Sequence, residues 1–271
     1  MLALARTLPG RVLIGVDVGM GVSSGFWELV LADCESAPPQ DFVQWLGGID
    51  PEGGFFETAA HPGHWSVRRP WFAVRKGSGG LTSFTGKTGD NLHRRLAAAT
   101  TAKPIFAVSG IPGSVGSGTR EIWRELVPML KESRDFAVWP FEGDAEFRHP
   151  QHEILLAETY PGLTYGAVLA DELPTARLVI AKRNDAQRVE ACKRLAAANW
   201  VRRSRVELPN LDLAQAGEDD FDALFTAAAV LRCAVESLPI VFPRWIDAEV
   251  EGSMLLAGPV DPARKAARLQ I

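Results

Sequence analysis

Cysteine is scarce in this 271-residue chain: there are three, Cys34, Cys192 and Cys233, and no two of them form a C-x-x-C pair. An odd, scattered set builds neither a disulfide framework nor a thiolate zinc site, and it points to a reducing compartment, the cytoplasm. Long apolar runs are missing as well. No uninterrupted segment has membrane-spanning length, and the opening MLALARTLPG is broken by Arg6 too early for a signal sequence. Neither sign of charge dominates. A net charge of -4 and a pI of about 5.8 provide no global field to hold nucleic acid, so such binding has to come from a local patch. No Ser, His and Asp set is prominent, which leaves serine hydrolysis without support. Internal repeats and low-complexity segments are also absent.

What is present is a chain 46% hydrophobic, enough for one large core. We expect a single domain over 1–271 with an irregular insertion at about 35–100, rich in Pro, Gly, Asp and Glu. The run from Arg11 to Val18 reads as a strand buried on both faces. Phe26 to Ala32 reads as a second strand, so the chain is expected to open with an antiparallel hairpin. Pro70–Arg75, a segment beginning at Lys103, Phe136–Trp139 and His152–Glu158 are further candidate strands. Lys76–Gly80 reads as a turn and Asp90–Ala99 as a helix. Thr119–Leu130 is amphipathic at helical spacing. Pro161–Leu169, Asn184–Trp200 and Asp219–Val235 are helical by composition, the last with an Ala-rich centre suited to close packing. Strands followed by alternating strands and helices predict an α/β fold, a mixed sheet covered by helices.

The stretch GIPGSVGSGTR, residues 110 to 120, invites a phosphate-loop reading. Gly113 and Gly118 have the P-loop separation, but Thr119 stands where lysine is needed and Arg120 where Ser or Thr is needed. The chemical residues of an NTPase loop are therefore missing. A glycine turn into a helix can still meet an anion, which makes Ser114 and Gly116 candidate phosphate contacts. The alternative is that small residues only let the chain turn tightly.

Acids mark the ends of several elements. Asp17 closes the first apolar strand, Glu158 closes the run Ile154 to Ala157, and Asp219 and Asp222 lie three apart on one face at the start of the Ala-rich helix. Each has an ordinary explanation, a turn bond for Asp17 or a helix-end charge for Asp219. Together they suit hard divalent cations such as Mg2+ or Mn2+, which take oxygen ligands and serve phosphodiester hydrolysis.

Several of these pieces resemble, in order and spacing, the predicted RNase H-like nucleases classed as a domain of unknown function. They are Gly15-Val-Asp17, the glycine stretch from Gly110 to Gly118, Val138-Trp-Pro-Phe-Glu142, Ala157-Glu-Thr-Tyr-Pro161, Lys182 ahead of a helix, and Asp219-Asp-Phe-Asp-Ala-Leu224. The resemblance implies an RNase H-like sheet, an antiparallel meander followed by parallel strands, flanked by helices. It implies that Asp17, Glu158, Asp219 and Asp222 bind the metals and that Lys182 contacts phosphate. One position departs: Ser109 ends a strand where many such proteins carry an acid.

Nucleic acid is the implied partner. The basic segment holding Arg183, Arg188, Arg202 and Arg203 is its candidate track, with a solvated helix face as the alternative. His61 and His64, and His149 and His152, form H-x-x-H pairs, but proline follows the first histidine of each and no cysteine completes a zinc set. The eight tryptophans suit core packing, with Trp45 and Trp65 as candidate base-stacking platforms. The leading expectation is a metal-dependent nuclease. Its rivals are a non-catalytic nucleic-acid or protein binding module on the same fold and an actin-like ATPase or kinase, for which the chain is short.

Overall fold

A computed structural model of the chain describes residues 2–74, 92, 94, 104–109, 115–132, 135–142, 151–238, 247–257, 264 and 266–270. The protein is a mixed α/β fold with small parallel sheets. Three strands, β1 (Val12–Val16), β4 (Phe136–Trp139) and β5 (Ile154–Glu158), form one sheet in the order β1-β5-β4, with both pairs parallel. Two shorter parallel pairs join β2 (Phe72–Val74) to β3 (Ala107–Ser109) and β6 (Leu178–Val179) to β7 (Ala267–Arg268).

Alternation along the central strands divides the core in two. Phe136, Val138, Ile154 and Leu156 enter one apolar cluster, while Ala137, Trp139, Leu155 and Ala157 enter the other. A strand apolar on both faces therefore reads as a continuous hydrophobic run, and helices cover each side. On the first side lie α2 (Ser24–Asp33), α3 (Phe42–Gly48) and α4 (Val115–Glu132), through Phe26, Phe42, Leu46, Trp123 and Val127. On the second lie α5 (Pro161–Leu169), α6 (Asp185–Ala197), α7 (Asn199–Arg203), α8 (Leu211–Ala216) and α9 (Glu218–Val235). Short helices α1 (Leu2–Ala5) and α10 (Ala248–Glu251) complete the set among the described residues. No described helix is long and apolar enough to cross a membrane.

Three sequence expectations are corrected. Phe26 to Ala32 is not a strand but the body of α2, so the opening hairpin does not form; among the described residues every strand-to-strand pair is parallel. Ser23 caps the helix by accepting from the Phe26 N–H (3.2 Å), and Phe26, Trp27 and Val30 bury one helical face. Residues 35–70 are not merely irregular either. Asp41 accepts from the Gln44 N–H (2.7 Å) and starts α3, whose Phe42, Val43 and Leu46 are core. β1, expected to be buried on both faces, lies at the edge of the described sheet and is only half-buried from Val12 to Gly15. The other elements stand close to expectation, with Asn184–Trp200 divided into α6 and the start of α7. The expected turn at Lys76–Gly80 and most of the expected helix at Asp90–Ala99 lie outside the described residues, as do Ser114 and His149.

The chain leaving β1 passes directly against the segment around α10. Gly21 and Gly252 both have positive φ, and a Cβ on either would overlap a backbone carbonyl, that of Glu251 or of Met20 respectively. This close approach fixes the turn after Asp17.

Candidate functional site

Parallel strands place their carboxyl ends at one edge of the sheet, where α/β folds assemble ligand sites. In β1 that end is Val16, paired in register with Glu158 of β5, and Asp17 follows immediately. The first turns of α9 approach the same edge from the second helical layer. Asp17, Asp219 and Asp222 consequently line one cavity of about 790 Å³, walled for the rest mainly by apolar side chains of β1 and α9. The N-cap of α9 is Gly217, which has no side chain with which to cap, so the acids of this turn are not its capping residues.

Asp17, like Asp219, is unpaired among the described residues. No hydrogen bond or ion pair reaches its carboxylate among the described residues. Its surface is still open to solvent, yet protein surrounds it closely enough to remove much of its hydration. Desolvation first, then the negative charges of Glu158 and Asp222, push its pKa up to about 6, against a smaller opposing pull from Lys182.

Asp222 is held from two sides. The Tyr165 hydroxyl of α5 donates to Oδ1 and the Lys182 ammonium to Oδ2. Burial and the bond to Asp222 raise the Tyr165 phenol. For Lys182, burial works against the charged form, but the bond to Asp222 and attraction from Asp222, Glu218 and Asp219 outweigh it, and its pKa is raised. The Lys182 backbone is itself fixed: buried Arg188 donates to its carbonyl (2.6 Å) and to those of Gln215 and Ala216 (2.8 and 2.9 Å), tying the residues after β6 to the end of α8.

Glu158 is placed differently from expectation. It is 2% exposed and absent from the walls of the acidic cavity. Buried Arg94 grips it with both guanidinium nitrogens, one at 2.7 Å from Oε2, and the Met20 N–H donates to the same oxygen (2.7 Å). The buried carboxylate needs these donors. It influences Asp17 through charge, and its own oxygens are engaged.

The glycine stretch also has a packing role. Gly116 is buried, and a Cβ there would overlap the Ala107 carbonyl of β3, so α4 lies directly on that strand instead of offering Gly116 to a phosphate. Thr119, at the position of the P-loop lysine, accepts from the Gly19 N–H (3.0 Å), and the Trp123 indole donates to the Gly19 carbonyl (2.8 Å). These bonds pin the turn that follows Asp17.

Arg202 and Arg203 are exposed on α7 and line neither cavity beside Asp17; Arg203 pairs with Glu236 (2.6 Å). Arg188 is consumed by carbonyls, so the basic segment does not form a continuous free track. Trp45 packs within the aromatic cluster of Phe26, Trp27, Phe42, Phe55 and Trp123, and Trp65 donates to the Pro70 carbonyl (2.9 Å). Their rings and edges serve packing. The His61 and His64 rings lie against each other at a tilt of 42°, centroids 3.6 Å apart, on a 3-10 turn, and no third ligand accompanies them among the described residues.

The oxygen donors around Asp17 suit a hard cation in kind, but the expected four-carboxylate ligand set does not fit as it stands. Glu158 belongs to Arg94, Asp222 to Lys182 and Tyr165, and no group of three His, Cys, Asp or Glu among the described residues is gathered to hold a metal ion.

Tyr165, Arg94 and Arg177 were not singled out by sequence. Tyr165 sits in an apolar helix and Arg94 lies 64 residues before Glu158, so no local pattern announces either contact. Arg177 lines a second, smaller cavity that shares Asp17 with the first. Compared with known proteins, the chain matches no family model, no curated protein and no solved structure.

Proposed function

We propose that the protein is a hydrolase of phosphodiester bonds in nucleic acid, of the RNase H-like kind, working at the cavity beside Asp17. The observation that carries this reading is the convergence of Asp17, Asp219 and Asp222 on one cavity from opposite parts of the chain. Asp17 accepts a proton from water near neutral pH, since its carboxyl titrates at about 6. Lys182 supplies positive charge toward a phosphate and is oriented by Asp222 and by the Arg188 clamp on its backbone. We propose Mg2+ or Mn2+ as the accompanying cation. No chemical step is assigned to it, because no group of three His, Cys, Asp or Glu is gathered to hold it among the described residues.

The test is cleavage of labelled single- and double-stranded DNA and RNA with manganese, beside calorimetric titration of manganese into wild type and Asp17→Asn. We expect cleavage that falls about 100-fold or more in Asp17→Asn, and metal binding that weakens with it. Full metal-dependent cleavage by Asp17→Asn would sink the assignment. A second reading, a non-catalytic binding module, is favoured by the internal pairing of Glu158 and Asp222; nucleic-acid binding with neither cleavage nor manganese binding would select it.

A further inference from the structure

We propose that the smaller cavity beside Asp17 is a subsite for a phosphomonoester, the terminal phosphate of a nucleic-acid strand or of a free nucleotide. The proposal rests on the phosphodiesterase reading above and extends it to the end of the substrate.

The cavity has a volume of about 280 Å³ and is lined by Arg177, Lys182, Tyr160, Tyr165 and Gly162, among others. That volume is at the lower limit of small-ligand pockets and has room for a phosphate. Arg177 is half-buried, and its guanidinium makes no hydrogen bond or ion pair among the described residues. Asp17 and Asp222 line the same cavity but neither bonds Arg177, so its guanidinium offers a planar fork of donors, which suits phosphate oxygens. Lys182, bonded to Asp222, balances that acid's charge. The Gly162 backbone lies in the first turn of α5, where no side chain caps the helix and the dipole favours an anion.

The two cavities share a wall. Asp17, Pro161 and Asp222 line both, the larger one apolar and acidic, the smaller one bearing Arg177 and Lys182. A substrate whose scissile phosphodiester lies at Asp17 and Asp222, with its body in the larger cavity, therefore directs its terminal unit into the smaller one. Arg177 and Lys182 offset the repulsion between its terminal phosphate and the two acids. The enzyme so built recognises a phosphorylated end.

The test measures, by calorimetry, binding of a short oligonucleotide with and without a terminal phosphate, at the 5′ and at the 3′ end, and of a nucleoside monophosphate. The proteins are wild type, Arg177→Gln and Arg177→Lys. Arg177 makes no described side-chain bonds, so the variants are expected to fold, and thermal melts check this. A terminal phosphate should strengthen oligonucleotide binding by about tenfold, a gain lost in Arg177→Gln and partly kept in Arg177→Lys. Equal gain for the free nucleotide identifies that source; gain for the oligonucleotide alone identifies a strand end. Indifference to the phosphate in wild type, or an unchanged gain in Arg177→Gln, overturns the subsite. Cleavage of unphosphorylated strands, followed in parallel, separates the two readings. Cleavage without a phosphate effect removes the subsite and leaves the phosphodiesterase, and a phosphate effect without cleavage of any strand does the reverse.

Discussion

Asp17 carries a charge that its surroundings oppose. Its carboxyl titrates at about 6 because it is desolvated and faces Glu158 and Asp222. A raised carboxyl pKa means that the folded state binds the proton more tightly than the unfolded chain. This group therefore costs nothing below the unfolded value near 4, and the cost grows as pH rises to about 6 and stays above it. In metal-free buffer, Asp17→Asn should melt higher than wild type at pH 7 and at the same temperature near pH 4. Because Asp17 retains solvent access, screening limits the gain at pH 7 to about 1 kcal/mol. Equal melting temperatures at pH 7 would show that the crowding of charge is not felt. The acids Asp17, Asp219 and Asp222 were legible in the sequence because they punctuate apolar elements. Glu158 looked the same by that criterion and is not, since its partner Arg94 lies in a distant segment and only three-dimensional packing brings them together.

Elements whose period is unambiguous were read correctly. The runs of β1, β4 and β5 were visible as unbroken apolar stretches, and α4 and α9 by their amphipathic or Ala-rich character. α2 was misread because FWELVLA suits a buried strand as well as a helix; Ser23, three residues before Phe26, was the signal for a helix start. The two glycines of α4 show how differently one residue type serves an element. Gly116 faces the Ala107 carbonyl with no room for a methyl group, whereas a Cβ at Gly118 would meet only Val18, at an ordinary 3.5 Å. Gly116→Ala should lift α4 from β3 and destabilise the protein by about 1–3 kcal/mol. Gly118→Ala should be neutral or stabilising by up to about 1 kcal/mol, through helix propensity. Urea denaturation of the two variants checks the contrast, and equal effects would contradict the packing described for α4.

At the scale of the whole molecule, two apolar clusters sandwich the sheet, and the buried cation Arg94 ties together three segments that meet in the first of them, β5, the turn after β1 and α10. Arg94 binds Glu158 at the end of β5 and the Glu251 carbonyl at 3.0 Å, while Glu158 receives the Met20 N–H from the turn after β1. The sequence indicated helices on a sheet. It gave no sign of the parallel order β1-β5-β4 or of this junction, because neither leaves a local pattern. Arg94→Ala leaves a buried carboxylate uncompensated and should cost about 3–5 kcal/mol by urea denaturation. Arg94→Met combined with Glu158→Met removes both charges and should recover much of that loss. If the single variant matches wild type, the junction does not hold the fold.

The acidic cavity draws Asp17 from near the start of the chain and Asp222 from beyond its middle, roughly two hundred residues later. During synthesis on a ribosome, β1 emerges long before α9, so a growing or prematurely ended polypeptide carries one half of the site and none of its enclosure. Formation of the cavity is thereby coupled to synthesis through α9: only a chain translated that far and folded back onto β1 brings these acids together.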